Sequence, residues 1–544
     1  TFRQSATDGQ PHSLWVDNIH FSSGAVTNVK AFPPIPSGLM ARTGDRSVTL
    51  HWQALPETRI QYRIYRKNEG TDAYSEVPES PVRITSFADN RVKNGTSYQF
   101  VIRAENEAGL SPASHVVKVV PKPFTSDDDF LEYVQACAFD YFWFEANRTN
   151  GMVRDRSQPW SAASIAAIGF GLTAIGIGID HQWITRSEGA ERVLRTLETL
   201  GSAPQGPEES GTAGYKGWFY HFLDSGTATR YGTSELSSID SALLFAGVLY
   251  AAEFFDNDSR NEQAIRSLAK KILNRVDWRW MLNNEDTLAM GWYPERGFTS
   301  ARWTGYNEAS ILYLLGLGSE KPGGALNPEH WSAWTRTYSW NTSHGFTFIP
   351  FPPLFGHQYT ACWVDFRDIA DDFGRAKGIT YFENSRRATL AQRAYCIENP
   401  GRFPGYGADV WGLTACDGPG SNQAHAYIAR GAPPAENDDG TIAPTAAGGS
   451  LPFAPAECVR ALRTMYDRYR EQIWCGYGFR DAFNLQELWW GEDVIGIDQG
   501  PILIMAENLR TGRVWEIMQK SPVLERGLKR AGFRPIQGET PRPK

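Results

Sequence analysis

The sequence predicts a multidomain fold in which an all-β sandwich at the N-terminal end precedes an all-α toroid of paired helices. The length of 544 residues exceeds what one ordinary hydrophobic core fills, since such cores stop growing at roughly 250 to 300 residues. Apolar and polar residues alternate at period two up to about residue 122. Beyond that point apolar residues recur at helical spacing, so the two parts of the chain differ in class.

Residues 31–122 are predicted to form the sandwich. The runs SVTLHW, YRIYRKN, SYQFVIRAEN and SHVVKVV alternate apolar with polar residues and are separated by turn signals such as KNG and EAG. With Trp52 in an early strand and Tyr98 in a later one, the segment resembles a fibronectin type III domain. Such modules are mostly spacers or docking surfaces. Residues 1–30 contain LWVDNIHFSS and are predicted to be an arm or a remnant β-strand.

Residues 123–544 are predicted to form the helical domain. Ser126 and the three acids after it mark the start of a first helix. The uncharged Ala/Gly-rich stretch 162–179 lacks a Leu-rich body and basic flanks, which indicates a buried helix rather than a membrane span. Apolar and amphipathic helices tend to alternate, as they would if inner helices were covered by outer ones. Since no short repeat is visible, one toroid fits better than a solenoid.

Charge, cysteines and motifs argue against several function classes. A net charge of -7 and a pI near 5.9 disfavour nucleic acid as a partner. The six cysteines have no metal-ligand spacing, and they fit free thiols and disulfides equally well, with Cys396 and Cys416 able to pair across a loop. No P-loop, GxSxG or HExxH motif is present. The 19 Trp, 22 Tyr and 29 Phe exceed what a core usually needs, which favours a ligand with flat faces.

Carboxylates, helix starts and aromatic residues coincide at three places in the helical part. Glycoside hydrolysis requires a protonated carboxyl, an ionised carboxyl and a stacking surface for the sugar ring, and each stretch offers part of that set. The stretches are GTSELSSIDSALL with Glu235 and Asp240, WTGYNEASILYLL with Glu308, and WWGEDVIGIDQGP with Glu492, Asp493 and Asp498.

Each of these acids also has a structural interpretation. An acid at a helix start caps open N–H groups and interacts with the helix dipole, worth about 1 kcal/mol, so capping is weighed ahead of catalysis for any single one. A helix N-terminus also lowers a carboxyl pKa, which suits a base. Glu308 would therefore need burial against Trp303 and Tyr306 to stay protonated. His221 and His357 are interpreted as polar contacts in loops.

Five stretches carry a family resemblance: TNGMVRDRS, ASIAAIGFGLTAIGIG, GTSELSSIDSALLFAGVL, GYNEASILYLLGLGS and LWWGEDVIGIDQGPILIMAENLRTG. Together they resemble glycoside hydrolase family 144, a bacterial family first labelled glucoamylase-like whose members act on β-1,2-glucan. The resemblance implies an (α/α)6 barrel and an inverting, endo-acting hydrolase without cofactor or metal. An exo-acting sophorose-releasing enzyme, a transglycosylase and a non-catalytic polysaccharide-binding protein are the alternatives.

The resemblance also implies roles for individual residues. Glu308 in YNEAS stands where the catalytic acid is expected, and Asp498 in IDQGP where the base is expected. Because Trp489 and Trp490 are consecutive, only one of them is expected to face the cleft. The predicted substrate-binding residues are acids of these stretches and aromatic residues of the connecting loops, namely Asp240, Glu235, Asp155, Glu492, Trp303, Tyr306, Trp218, Trp411, Trp489 and Trp490.

The same interpretation leads to expectations for the partner, the oligomeric state and the location of the protein. The expected partner is a neutral glucan, and the chain is expected to be a monomer. Thr1 is not a natural start, so a leader is expected to have been removed. A type III module on a glucan hydrolase then favours the periplasm or the outside of a bacterium.

Overall fold

The protein is described by a computed structural model that covers residues 31–55, 59–420 and 427–536. The predicted N-terminal arm, residues 1–30, lies outside the described residues. Within them the chain has a sheet-rich N-terminal part followed by a helical part, which confirms the order of classes predicted from sequence.

The N-terminal part consists of two antiparallel sheets packed over one core. One sheet has the order β1-β2-β5; in the other, β4-β3-β6-β7 are adjacent and β8 pairs with β6. Trp52, Ile64 and Phe100 are fully buried between the sheets, as the alternating pattern predicted. The strands are β1 (Met40–Gly44), β2 (Ser47–His51), β3 (Gln61–Asn68), β4 (Ser75–Glu76), β5 (Ser86–Asp89), β6 (Tyr98–Asn106), β7 (Gly109–Leu110) and β8 (Val117–Val119).

The helical part begins where the sequence predicted, because the Ser126 side chain accepts a hydrogen bond from the Asp129 N–H. Short 3-10 helices occupy Trp280–Leu282 and Thr360–Cys362. The α-helices are α1 (Asp127–Phe144), α2 (Ile165–Asp180), α3 (Arg186–Ser202), α4 (Ser238–Phe254), α5 (Arg260–Arg275), α6 (Ser310–Gly318), α7 (Pro328–Thr335), α8 (Phe355–Gln358), α9 (Asp372–Lys377), α10 (Tyr381–Glu398), α11 (Pro444–Gly448), α12 (Pro455–Ile473), α13 (Gly496–Arg510), α14 (Arg513–Met518) and α15 (Pro522–Arg530).

Short antiparallel ladders connect the loops between these helices. They are Ala163–Ser164 with Phe222–Leu223, Gly214–Tyr215 with Trp218–Phe219, Leu236–Ser237 with Gly291–Tyr293 and Gly297–Phe298, Asn341–Ser343 with Phe346–Phe348, Ile369–Ala370 with Arg534–Pro535, Ala415–Cys416 with Ile428–Ala429, Thr441–Ile442 with Phe483–Asn484 and Trp489–Trp490, and Trp474–Cys475 with Gly478–Phe479. They tie the loops that carry the acids to one another.

Helices that are largely buried pack against one another, and amphipathic ones cover them. Helix α2 packs on α4 and α13, and α4 packs on α6, while α3, α5 and α15 lie against these from outside. A Cβ at Gly247 would lie 2.0 Å from the Gly169 carbonyl oxygen, so only glycine lets α2 and α4 approach so closely. As predicted for 162–179, α2 is buried, and no helix among the described residues has the length and apolarity to cross a membrane.

The two parts are joined through a buried ion pair. Asp140 of α1 is fully buried and accepts two hydrogen bonds from Arg42 of β1, at 2.6 and 2.9 Å. His51 of β2 lies 3.2 Å from the same carboxylate, and its ring stacks on Phe144 and Tyr477. Burial lowers the pKa of His51 to about 4, so the imidazole is neutral at neutral pH.

All six cysteines fall within the described residues and are free thiols. The pairing of Cys396 with Cys416, one of the alternatives left open by the sequence, is therefore not formed. Both thiols are buried, and burial raises the pKa of each above its ordinary value.

Candidate active site

Acids from three separate stretches lie around Tyr359, just after α8. Burial raises the pKa of the Tyr359 hydroxyl well above its ordinary value, and the nearby charges of Asp498, Glu308 and Asp240 raise it further. Asp155 lies within range of two of these acids, because the charge of Asp240 acts on it and its own charge acts on Asp498. The structure thus brings together the two predicted catalytic acids and two of the acids predicted to bind substrate.

The Glu308 backbone is fixed between the loop before α6 and the turn after α8. The Thr360 hydroxyl donates to the Glu308 carbonyl at 3.1 Å, and the Ser310 hydroxyl donates to Thr360 at 2.7 Å. The Asn307 side chain accepts the N–H of Ala309, the N-cap of α6, so the helix begins two residues beyond Glu308. These bonds hold Glu308 beside Tyr359.

The Glu308 carboxyl is set up to keep its proton. The residue is only 9% exposed, and its Oε2 has no hydrogen-bond partner among the described residues. Burial raises its pKa to about 7, with a further contribution from the charge of Asp240. The sequence made protonation of Glu308 depend on burial against Trp303 and Tyr306. The carboxyl is buried, and its burial outweighs the lowering of the pKa by the helix N-terminus.

Asp240 lies in the first turn of α4 beside an imidazole. The Ser237 hydroxyl caps this helix by accepting the Asp240 N–H, and it donates to the Asp240 carboxylate. Nδ1 of His221 lies 2.8 Å from Oε1 of Glu235, and its Nε2 lies 3.6 Å from Oδ1 of Asp240. Burial alone would lower the pKa of His221, but these two carboxylates outweigh it and raise the pKa to about 9. His221 is therefore a cation of the site, not the simple loop contact that the sequence suggested.

Arg156 holds three acids of the loops together. Its Nη1 donates to Asp417 at 3.0 Å and to Asp493 at 2.9 Å, and its Nε lies 3.5 Å from Asp155. Burial raises the pKa of Asp155, and Arg156 opposes that shift. Glu492, predicted to bind substrate, is exposed, and its carbonyl accepts a hydrogen bond from Arg480 at 2.9 Å.

Asp498 lies in the first turn of α13 and contacts a second buried carboxyl, that of Asp481. Burial raises the pKa of Asp498 well above its ordinary value, and Asp481 raises it further. The expectation that a helix N-terminus would lower this pKa is therefore wrong, because desolvation and a like charge outweigh the dipole. The N-cap of α13 is Ile495, with no side-chain capping bond. Asp481 was missed, since a single acid after a hairpin in FRDAF carries no signal of its own.

Two predicted aromatic residues lie in the core. Trp218 is fully buried between Phe245 and Trp278 and donates to a carbonyl, and Trp411 is fully buried in a second cluster. Neither has a face open to a sugar ring, so their predicted role as substrate-binding surfaces does not fit their placement. Trp indoles fill cores as readily as they bind ligands, and the sequence alone does not separate the two.

The remaining aromatic predictions lie nearer the acids. Trp303 is mostly buried and donates to the Ser238 hydroxyl at 2.8 Å. Tyr306 is half-buried beside His357, which is neutral because burial lowers its pKa to about 3. The adjacent tryptophans are both half-buried: Trp490 stacks on Phe483, and Trp489 packs against a small cluster that includes Cys416.

Comparison with known proteins gives this site a context. Residues 300–522 match the family described as "putative glucoamylase", and residues 34–120 match the fibronectin type III domain. A relative from Parabacteroides distasonis, described as an exo β-1,2-glucooligosaccharide sophorohydrolase acting at the non-reducing end, is 28% identical over 97% of this chain and 75% of its own length.

Two solved structures align with the helical part. A putative glucoamylase from Bacteroides uniformis is 32% identical with a TM-score of 0.68, over 76% of this chain and 98% of its own. An endo-β-1,2-glucanase from Chitinophaga pinensis, in complex with sophorotriose and glucose, is 28% identical with a TM-score of 0.68, over 76% of this chain and 99% of its own. Both matches agree with a helical fold that carries the clustered acids.

Proposed function

The chain belongs to the glucoamylase-like family, and from this membership we propose that it is a glycoside hydrolase that cleaves β-1,2-glucan with inversion at the anomeric carbon. The family includes relatives that act on β-1,2-linked glucose. The proposal assigns Glu308 as general acid and Asp498 as the group that accepts a proton from water.

The buried Glu308 carboxyl, with one oxygen left without a partner among the described residues, is the observation that carries this proposal. A general acid works best when its pKa lies near the working pH, and burial raises the pKa of Glu308 to about 7. Its Oε2 has no partner among the described residues, so a glycosidic oxygen could take that place. An acid used only for capping would be exposed or paired with backbone N–H groups.

In the proposed hydrolysis, Glu308 and Asp498 act on opposite faces of the sugar ring. Glu308 gives its proton to the glycosidic oxygen while the bond between that oxygen and the anomeric carbon breaks. A water molecule on the opposite face loses a proton to Asp498 and forms the new bond to carbon. Inversion requires the two carboxyls to be roughly 6.5 to 9.5 Å apart, which leaves room for the water.

Asp240, His221 and Glu235 contribute charge and hydrogen bonds beside the acid. The imidazolium of His221 lies between the two carboxylates, so the group of three carries a net charge of about -1. A positive charge develops on the sugar ring in the transition state, and a negative group nearby stabilises it. The carboxylate oxygens also accept hydrogen bonds from sugar hydroxyls.

The arrangement of helices supports an (α/α)6 barrel, which is part of this proposal. The buried helices α2, α4, α6 and α13 contact one another in pairs, and amphipathic helices lie against them. Inner helices that begin near acids would direct those acids to one mouth. The proposed domain limits, 31–122 and 123–544, follow the change from strands to helices.

Release of sophorose from a chain end is a second candidate for the mode of action. Similarity to the exo-acting relative extends over 97% of this chain, whereas the match to the endo-acting structure covers 76%. Those shares favour exo action, because the match to the exo-acting relative extends over nearly the whole chain. Internal cleavage, the mode implied by the family resemblance, remains the alternative to test.

Proton NMR with linear β-1,2-glucan tests both the inversion at the anomeric carbon and the choice between exo and endo action. Inverting hydrolysis of a β-linkage releases α-anomeric reducing ends first, and Glu308→Gln should release none. Sophorose alone from the first minutes indicates exo action, and a range of lengths indicates endo action. Absence of new reducing ends, with unchanged total linkage, would instead favour the transglycosylase or the binding protein.

A further inference from the structure

The carboxyls of Asp481 and Asp498 form a buried pair that the family assignment leaves unexplained. The residues are 1% and 2% exposed, and their side chains are within hydrogen-bonding reach of each other. Oδ1 of Asp481 and Oδ2 of Asp498 are both buried and receive no hydrogen bond from the described N–H and O–H donors. Two carboxylates only accept, so one shared proton is what satisfies both oxygens.

The surroundings determine which carboxyl is ionised. Oδ2 of Asp481 accepts the backbone N–H of Asp417 at 2.7 Å, and the positive charge of Arg156 acts on the same carboxyl. For Asp498, Asp481 supplies a side-chain hydrogen bond, and the charges of Asp417 and Asp155 oppose ionisation. Hydrogen bonds and a cation favour a carboxylate, so Asp481 holds the negative charge and Asp498 the proton.

We propose that Asp481 is a positioning residue for the reaction, which shares one proton with Asp498 and lets Asp498 accept a second proton from the attacking water. The proposal rests on the proposed function. Without such a partner, a protonated Asp498 could not act as a base at all.

The proton transfers balance within the site. Water gives a proton to the free oxygen of Asp498, and the proton already on Asp498 moves to Oδ1 of Asp481. The water oxygen forms the bond to the anomeric carbon, and the leaving oxygen takes the proton of Glu308. The pair ends with two protons and Glu308 with none, so one proton returns to Glu308 through solvent before the next cycle.

The other groups that face the pair set its charge. They are the acids Asp155, Asp417 and Asp493, the cation Arg156, and the neutral groups Tyr359 and Cys416, whose pKa values burial raises. Arg156 is bound to three of these acids and compensates only part of their charge. A second full negative charge on the pair is therefore unfavourable, which keeps one proton in place.

The test compares wild type with Asp481→Asn in the pH dependence of kcat. In wild type, activity falls toward low pH as Asp481 takes a proton, and burial raises its pKa to about 7. In the variant the amide donates to Asp498, which becomes a simple carboxylate of lower pKa. We expect the acidic limb to move down by about one unit or more, kcat to fall about tenfold or more, and KM to change less than about threefold.

Asp140→Asn is the matched control, since it neutralises another fully buried acid, at the contact between the two domains. It should lower stability and leave the acidic limb in place. If Asp481→Asn lowers kcat and stability while the limb also stays in place, Asp481 is only structural and the proposal is overturned.

Infrared spectroscopy of the free protein separates this proposal from the proposed function. Beside the band of Glu308, which remains in every Asp498 variant, wild type should show a second protonated carboxyl band at neutral pH that is lost in Asp498→Asn, whether or not any glucan is cleaved. Loss of that band supports the pair even if hydrolysis fails, and an unchanged band overturns it even if hydrolysis is found. Because the infrared measurement compares wild type with Asp498→Asn, it tests the proposal even if Asp481→Asn does not fold.

Discussion

Nδ1 of His221 lies 2.8 Å from Oε1 of Glu235, which joins an imidazolium to a carboxylate beside Asp240. The pKa of His221 is raised to about 9, and that of Glu235 is lowered by the hydrogen bond from His221, although burial opposes it. A raised His pKa stabilises the fold fully below about 6.5, the unfolded value, and this contribution is lost as the pH rises through about 9. The Glu235 contribution is full above about 4.3 and is lost at lower pH.

His221→Asn should therefore lower the melting temperature most between about pH 5 and pH 6. The difference from wild type should shrink toward about pH 9.5, where the native imidazole is also neutral. Thermal unfolding of both proteins at several pH values measures it. A difference that stays constant with pH would show that His221 acts by packing alone.

Glu308 should set the alkaline limb of activity. Its pKa is raised to about 7, and a general acid works only while protonated, so kcat on glucan should fall as the pH rises through that value. Glu308→Gln should lower kcat on glucan about 10²- to 10⁴-fold. An aryl β-sophoroside with a phenolate that leaves unaided should recover most of that loss. Equal losses on both substrates would contradict the acid role.

Much of this site was within reach of sequence reasoning because the acids mark helix starts. Asp240 and Asp498 each lie in the first turn of a helix, and Glu308 lies two residues before one. Apolar helices that pack together bring such first turns to one place, so the stretches could be grouped before any coordinates. Asp155 was grouped with these acids because it lies in TNGMVRDRS, a stretch that carries the family resemblance.

The features of the site that the sequence did not predict depend on contacts between residues that are far apart in the chain. Asp481 and Asp417 are 64 residues apart and meet only because two loops fold over the start of α13. The pKa of Asp498 depends on that meeting, so helix position alone predicted the wrong direction. Trp218 and Trp411 look like ligand surfaces in a Gly-rich loop, and only the packed structure shows them enclosed.

Asp140 should couple the stability of the two domains. Its buried carboxylate bonds Arg42 in the sandwich, and removing one partner of a buried pair leaves the other uncompensated. We expect Asp140→Asn to lower the free energy of unfolding by about 3 kcal/mol. Denaturant unfolding followed by tryptophan fluorescence measures the loss. Asp372→Asn, an exposed acid with surface partners, should change it by less than about 0.5 kcal/mol.

Substitution of Trp489 should affect substrate binding, and substitution of Trp490 should affect stability. Trp489 packs near Cys416, whose thiol lies within range of the charges of Asp481 and Asp498, whereas Trp490 stacks on Phe483 with ring centres 5.6 Å apart. Trp489→Ala should raise KM about fivefold, as expected for a lost stacking face worth about 1 kcal/mol. Trp490→Ala should leave KM unchanged and lower the free energy of unfolding by about 2 kcal/mol. The reverse pattern would place Trp490 in the cleft.

Asp498→Asn decides between capping and catalysis at the start of α13. The N-cap is Ile495 with no side-chain capping bond, so the helix does not depend on the Asp498 carboxylate. An amide at this position can donate to Oδ1 of Asp481 in place of the shared proton, which preserves the contact. Turnover should be abolished while the melting temperature stays the same or rises, because one member of a buried acid pair is neutralised. A large fall in melting temperature with residual activity would restore the capping interpretation.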